Sequence, residues 1–203
     1  HSSRRRFAAR LNSGVRPHTS HHHIWLVLMV EASIEVVEYS PEWPELFAHE
    51  QEIIAKSLAP WLVGPPEHIG STAVPCLAAK PVIDIMAPVS SLASSEAAIA
   101  AAEYIGYVHF PYKPQLMHWF CKPSPEFRTH HLHLVPLGSR LWRERLAFRD
   151  ALRSNAALRA EYQSLKLRLA VQHRHDREAY TDAKSPFVVQ VVQAVLGAQG
   201  SAA

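Results

Sequence analysis

Apolar positions recur along this chain with two periods, and the two periods separate it into regions. Leu46, Phe47, Ile53, Ile54 and Leu58 follow a helical stripe with Glu50 and Lys56 off it, which predicts a helix over about residues 44–58. Residues 34–39 (IEVVEY) are rich in β-branched side chains and read as a strand that Ser40-Pro41 ends. Short apolar runs at 67–69, 82–86, 107–110, 116–122 and 130–135 are bounded by Gly and Pro and read as further strands. The alanine-rich stretch 94–105 reads as a helix closed by Gly106.

After Gly138 the period becomes helical throughout. Ser139 is placed to cap a helix carrying Leu141, Phe148 and Leu152 on one face. Asn155 is placed to cap another, with Leu158, Tyr162, Leu165 and Leu169 at helical spacing. Ser185-Pro186 is expected to open a last helix with Phe187, Val188, Val191, Val192 and Val195. Strands and a few helices come first and helices last, which is an α+β pattern.

Composition changes this picture in one place. The chain carries a formal charge of +3, yet residues 1–28 hold five arginines and no acid. Without them 16 basic residues face 18 acidic ones, so the body is mildly acidic and argues against nucleic acid as a partner. The apolar run 24–30 is too short to span a bilayer. Arginines precede it as in a signal peptide, but the run is minimal, a His triplet touches it and Glu31 follows at once. We expect residues 1–33 to be a tail outside the domain, with 1–28 non-native upstream sequence before Met29, and residues 34–199 to form one domain. Two cysteines, Cys76 and Cys121, make no disulfide framework, and a cytoplasmic protein with reduced thiols is expected.

Three stretches carry chemistry. In residues 67–86 (EHIGSTAVPCLAAKPVIDIM) the Gly70-Ser71-Thr72 turn offers backbone N–H groups and hydroxyls, and Lys80 adds a cation. Such a turn can cradle phosphate, or it can be a plain tight turn. Asp84 interrupts an apolar strand, with Ile83 and Ile85 on one face and Asp84 beside Val82 and Met86 on the other. A carboxylate there needs a partner: a metal, a lysine, a histidine or a structural salt bridge. In residues 129–135 (THHLHLV), His131 and His133 share a strand face, a common half-site for a divalent metal and equally a solvent-facing or anion-pairing pair. Neither cysteine has a CxxC partner for a zinc site. In the helical half, Arg145, Arg149, Lys166 and Lys184 fit a solvated face, with Lys184 ending a YTDAK segment before the expected last cap.

Residues 68–85, HIGSTAVPCLAAKPVIDI, resemble the signature of the GrpB family, usually HIGSTAVPGLAAKPIIDI. VEYSPEWPELFAHE, HWFCKPSPEFRTHHLHLVP, FRDALRSN, EYQSLK and AYTDAKSPFV are similar to that family in the same order, over about residues 34–196. The family's domain also occurs fused to dephospho-CoA kinase. The resemblance implies a nucleotidyltransferase-like mixed sheet flanked by helices, with a helical C-terminal part. In that superfamily a Gly-Ser turn holds nucleotide phosphates and carboxylates on the following strands hold Mg²⁺. Gly70 and Ser71 match the turn and Asp84 the first carboxylate. The second would fall at Met86, and a later strand offers His133 with His131 beside it where the third would stand. Cys76 replaces a usual glycine and would be strained if that position has positive φ.

The resemblance therefore implies an NTP or small phosphorylated ligand, held by His68, Gly70, Ser71, Thr72, Lys80 and Lys184, with Mg²⁺ or Mn²⁺ on Asp84, His131 and His133. Asp84 would be catalytic in nucleotidyl or phosphoryl transfer. The alternative is a non-catalytic accessory module, for folding or interaction, that keeps the pocket.

Overall fold

A computed structural model describes residues 33–200, so the expected tail lies outside the described residues. The elements in chain order are α1 (Trp43–Ser57), β1 (Glu67–Ile69), β2 (Ile83–Val89), α2 (Ala98–Tyr104), β3 (Val108–Phe110), β4 (His118–Pro123), β5 (Arg128–Pro136), α3 (Arg140–Ser154), α4 (Ala156–Gln172) and α5 (Arg177–Gly200). The strands form one mixed sheet in the order β1-β2-β5-β4-β3. β2 and β5 are parallel and every other pair is antiparallel. This is the expected α+β architecture: a mixed sheet flanked by helices, followed by a helical C-terminal region.

The period-2 pattern of the strands sorts their side chains onto two faces. Ile83, Ile85, Ala87, Phe120, Leu132 and Leu134 point one way and pack under α1 and α2 with Trp43, Ile54, Leu58, Ala98 and Ala102. Met86, Met117, Trp119, Cys121 and Val135 point the other way, under Trp142 of α3. Glu50 lies off the stripe by periodicity, yet it is buried and receives the Lys122 ammonium at 2.9 and 3.1 Å. That ion pair ties α1 to β4.

Ser139 and Asn155 cap α3 and α4 as their positions predict, each accepting a backbone N–H three residues on. Three expectations are corrected. Residues 34–39 form no strand: Val37 makes only a two-way bridge to Ala79, because no sheet edge runs beside the rest of the segment. The helix expected over 94–105 splits into a 3-10 turn, Ala93–Ser95, and α2. The last helix opens at Arg177, with the Ala179 N–H donating to Asp176 at 2.8 Å, so Pro186 lies inside it and Lys184 on its body. Pro186 costs one helical hydrogen bond, and the packing of Tyr180 on one side and Phe187 and Val188 on the other offsets it. No described helix is long and apolar enough to cross a membrane.

The helical half is clamped onto the segment between β1 and β2. Arg149 donates to Glu67 at 2.7 Å and to the His68 carbonyl at 3.0 Å, and Arg153 donates to the Ala73 carbonyl at 2.9 Å. Gln163 and Lys166 of α4 hold the N–H and the carbonyl of Ala78. Lys166 is therefore buried, not on a solvated face.

The turn after β1 is fixed from inside. His68 faces α1, stacks on Phe47 at 4.6 Å and bonds Thr72 at 3.0 Å, and the Thr72 hydroxyl donates to the Val82 carbonyl at 3.2 Å. Gly70 has φ +71°, and a Cβ there would collide with the Asp84 carboxylate. Cys76 has φ +61° and is exposed, so it stands in the left-handed region that glycine occupies without strain.

Two outcomes follow from this turn. Gly70→Ala should lose about 2–4 kcal/mol of stability in urea unfolding, through both φ and collision. Gly138→Ala, at the same φ but in open space, should lose only about 1 kcal/mol. Burial pushes His68 down to about 4 against the opposing pull of Asp84. Between about pH 6.5 and 4 the unfolded chain then binds more protons than the folded one, so stability falls as pH falls through that window. His68→Gln should reduce that loss by on the order of 2 kcal/mol, read from denaturation at pH 7 and pH 4.5.

Candidate functional site

Parallel pairing builds the centre of the site. In the β2–β5 register Asp84 stands opposite His131 and Met86 opposite His133, which puts the three polar side chains on the α3 side of the sheet. His131 Nδ1 is 2.8 Å from Asp84 Oδ1 and His133 Nε2 is 3.8 Å from the same oxygen. One ligand atom from each of the three lies within 4.8 Å of the others. The Nε2 atoms of both histidines are buried without a hydrogen-bond partner. Trp119 lies against both rings, with centroids 5.1 and 6.4 Å away, and His133 Nδ1 is 3.3 Å from the Met117 sulfur.

The electrostatics follow from this packing. Burial by itself would raise the Asp84 carboxyl, but the His131 hydrogen bond and the nearby His133 ring outweigh it and hold the group well below the usual carboxylate range. Burial pushes His133 down to about 4, with Asp84 pulling the other way and Arg145 adding to the depression. The site is thus one carboxylate with a neutral, buried imidazole at ordinary pH. Those groups can coordinate a divalent cation: the donor set is two nitrogens and one oxygen, and His133 Nε2, beside Asp84, has no hydrogen bond.

Around this centre the three C-terminal helices supply positive charge. The Lys184 ammonium sits 3.9 Å from the centre of the Tyr180 ring, and Lys80 approaches the same ring at 6.0 Å. Burial, then the charge of Lys80, pushes Lys184 down to about 8, with Asp84 opposing and Arg145 reinforcing. Tyr162 presents its hydroxyl to Ser71 and is pushed up to about 12 by burial. Lys166 is pushed down to about 7 by burial and then by Lys184.

The sequence-predicted residues divide by position. Asp84, His131 and His133 meet, and Gly70 lies against the Asp84 carboxylate. Lys184 lies near enough to Lys80 and Asp84 for their charges to act on it, and Tyr162 links Ser71 to the same neighbourhood. His68 and Thr72 are turned toward α1, where they brace the turn, because β1 alternation sends His68 to the opposite face from Asp84. Sequence reasoning missed Tyr162 and placed Lys166 on a solvated face although it is buried, while Arg145 is exposed as expected. Tyr162 continues the stripe of α4, and that stripe gives no sign that its hydroxyl end meets Ser71. Two concavities lie away from the centre: a groove of about 860 Å³ between α3, α4 and α5, and one of about 530 Å³ between Phe47, His68, Cys76 and Arg153.

Comparison with known proteins now has a fold and a site to refer to. A UPF0157 protein of Pseudomonas aeruginosa is 38% identical over 169 residues, 81% of this chain and 69% of the relative. The glutamate-rich protein GrpB of Alkalihalophilus pseudofirmus is 31% identical over 171 residues, 80% of this chain and 95% of the relative. The crystal structure of the conserved protein GrpB from Enterococcus faecalis superposes with a TM-score of 0.74 at 32% identity, covering 81% of this chain and 99% of that one. A chain in the structure of the GLD-2/RNP-8 complex reaches a TM-score of 0.50 at 12% identity, over 77% of this chain and 60% of that one, a likeness of fold alone. The GrpB protein profile matches residues 33–194, and the chain belongs to the GrpB family.

Proposed function

We propose that this protein has a nucleotidyltransferase-like site that binds a nucleotide or another phosphorylated ligand together with a divalent cation, and that it transfers a nucleotidyl or phosphoryl group. The observation that carries this reading is the contact between the Gly70 backbone and the Asp84 carboxylate. It supports the reading because a turn whose N–H groups can face an anion stands directly against a carboxylate that could hold a cation. A phosphate group that bridges a cation and backbone donors needs both within its own size.

Each residue then has a task. The Ser71 hydroxyl and the amides of the turn bind phosphate oxygens, and Tyr162 orients Ser71. Lys184, Arg145 and Lys80 draw in the anion and neutralise its charge. Asp84, His131 and His133 would hold the cation, which when bound polarises a phosphoryl oxygen. Trp119 and Met117 keep water from the inner side of the histidines.

One observation favours the accessory-module reading, in which binding survives without chemistry. Met86, where a second carboxylate would stand, is fully buried in the apolar layer under α3. A two-metal arrangement has no ligand there.

Thermal-shift titration of the full chain with ATP, GTP, CTP, UTP and pyrophosphate, with and without divalent cation, tests both readings. Binding at a hundredfold excess over Kd should raise Tm by about 5–10 °C. In Asp84→Asn the cation-dependent part of the shift should vanish, while the metal-free part persists or grows because a negative charge is gone. No shift with any phosphate compound defeats the proposal, and a shift without product under every cation selects the accessory module.

Lys184→Gln should weaken pyrophosphate binding about tenfold. Because Lys184 loses its proton from about pH 8, wild-type affinity should fall between pH 7 and 9, and the variant should be flatter across that window. Asp84 stays ionised there. Lys166 is turned to the Ala78 carbonyl and is freed of the Lys184 charge in the variant, so it moves up from about 7 and keeps its own charge further into that window. Equal pH slopes in calorimetric titrations would remove Lys184 from the anion site.

A further inference from the structure

The donors around Asp84 are not those that Mg²⁺ requires. Mg²⁺ takes about six oxygen ligands in near-octahedral order and gives up its water reluctantly. Among the described residues, Asp84 is the one carboxylate of the cluster. Glu67, on the same face, is held by Arg149 at 2.7 Å, and Asp150 is held by the same guanidinium at 2.7 Å. Met86 occupies the place of a second carboxylate. The remaining donors are imidazole nitrogens: His131 turns Nδ1 to Asp84 at 2.8 Å, and His133 brings Nε2, which has no hydrogen bond, to 3.8 Å of the same oxygen. The wall behind them is Met86, Met117, Trp119, Cys121 and Val135, an apolar surface that offers a hydrated ion nothing in exchange for its water. Two imidazoles and one carboxylate are a set for the nitrogen-preferring first-row ions from Fe²⁺ to Zn²⁺.

We infer that the Asp84–His131–His133 cluster takes a nitrogen-preferring transition-metal ion and discriminates against Mg²⁺. The inference rests on the proposed cation role of this cluster and narrows it. It also replaces the Mg²⁺ or Mn²⁺ that the family resemblance implies.

Co²⁺ is the probe, because its visible absorption reports nitrogen ligation directly. The full chain is titrated with Co²⁺ beside Asp84→Asn. The histidines of the N-terminal stretch (His1, His18 and His21 to His23) are common to both, so only the difference between the two proteins counts. The expected result is one Co²⁺ per chain in that difference, displaced by stoichiometric Zn²⁺ and retained against about 100-fold excess Mg²⁺. His131→Asp, at the more exposed of the two histidines, exchanges a nitrogen for an oxygen. It should lower the Co²⁺-to-Mg²⁺ preference about tenfold or more. The metal-free melting temperature and far-UV circular dichroism report whether each variant is folded, and the competition in wild type decides the matter if one is not.

Displacement of Co²⁺ by Mg²⁺ as readily as by Zn²⁺, or no difference between wild type and a folded Asp84→Asn, overturns the inference. Pyrophosphate binding is measured separately without metal. If phosphate binds and Mg²⁺ wins, this inference falls and the proposed function stands. If Co²⁺ is held as expected and no phosphate binds, the proposed function falls and the metal assignment stands.

Discussion

The parallel pairing of β2 with β5 is the constraint on which the site depends. Parallel neighbours cannot be joined by a tight hairpin, and the intervening chain must travel across and return. Here that excursion contains α2, β3 and β4. What it secures is a register: Asp84 opposite His131, with His133 two residues on and pointing the same way. A one-residue slip would send both histidines into the layer under α1 and bring Leu132 to Asp84. That layer is apolar, so the hydrophobic pattern of β5 that stabilises the sheet also fixes the polar cluster.

The second constraint is the grip of the helical half on the segment between β1 and β2. Arg149, Arg153, Gln163 and Lys166 all bond to backbone between His68 and Ala78. Burying Lys166 is expensive, since its partners are one carbonyl and the Tyr162 ring. Arg145 lies on α3, one of the gripping helices, and Lys184 on α5, which packs against them. Turn geometry and positive charge are thus supplied by one piece of packing. Cys76 at φ +61° adds strain on the order of 1–3 kcal/mol within this gripped segment. The surrounding bonds determine the backbone there, and the side chain adapts to it.

How much of this was legible in the sequence depends on the range of the interaction. Alternation in β2 and β5 put Asp84 on the face away from Ile83 and Ile85, and His131 with His133 on one face, because those are properties of single strands. The Ser139 and Asn155 caps were legible because a cap is settled within three residues. Residues 34–39 have strand composition but lack a neighbouring strand, which no local pattern can reveal. Pro186 looks like a helix start because its own preference is local, while the contacts of Tyr180 that carry the helix past it come from elsewhere in the fold. Glu50 and Lys166 are charged residues at buried positions. Only their partners, Lys122 and Ala78, explain them, and those lie far off in sequence. His68 stands in the same motif as Gly70 and Ser71, yet strand alternation turns it to the other face.

The balance of charge at the opening bears on what it can hold. Asp84 is one carboxylate, and Lys184, Lys80 and Arg145 gather near it. A bare dication would meet more positive charge than negative there, and Coulomb repulsion in a partly buried site is only weakly screened. Neutral imidazoles can hold such an ion by donation where a second carboxylate would have held it by charge. A phosphate group changes the sum, since its oxygens can face Lys184 and the turn on one side and the ion on the other. Anion and cation would then each improve the binding of the other by the same factor, as linkage requires. With Met86 in place of a carboxylate, the ion alone would rest on Asp84, His131 and His133, and an anion bound beside them would tighten that hold without being required for it.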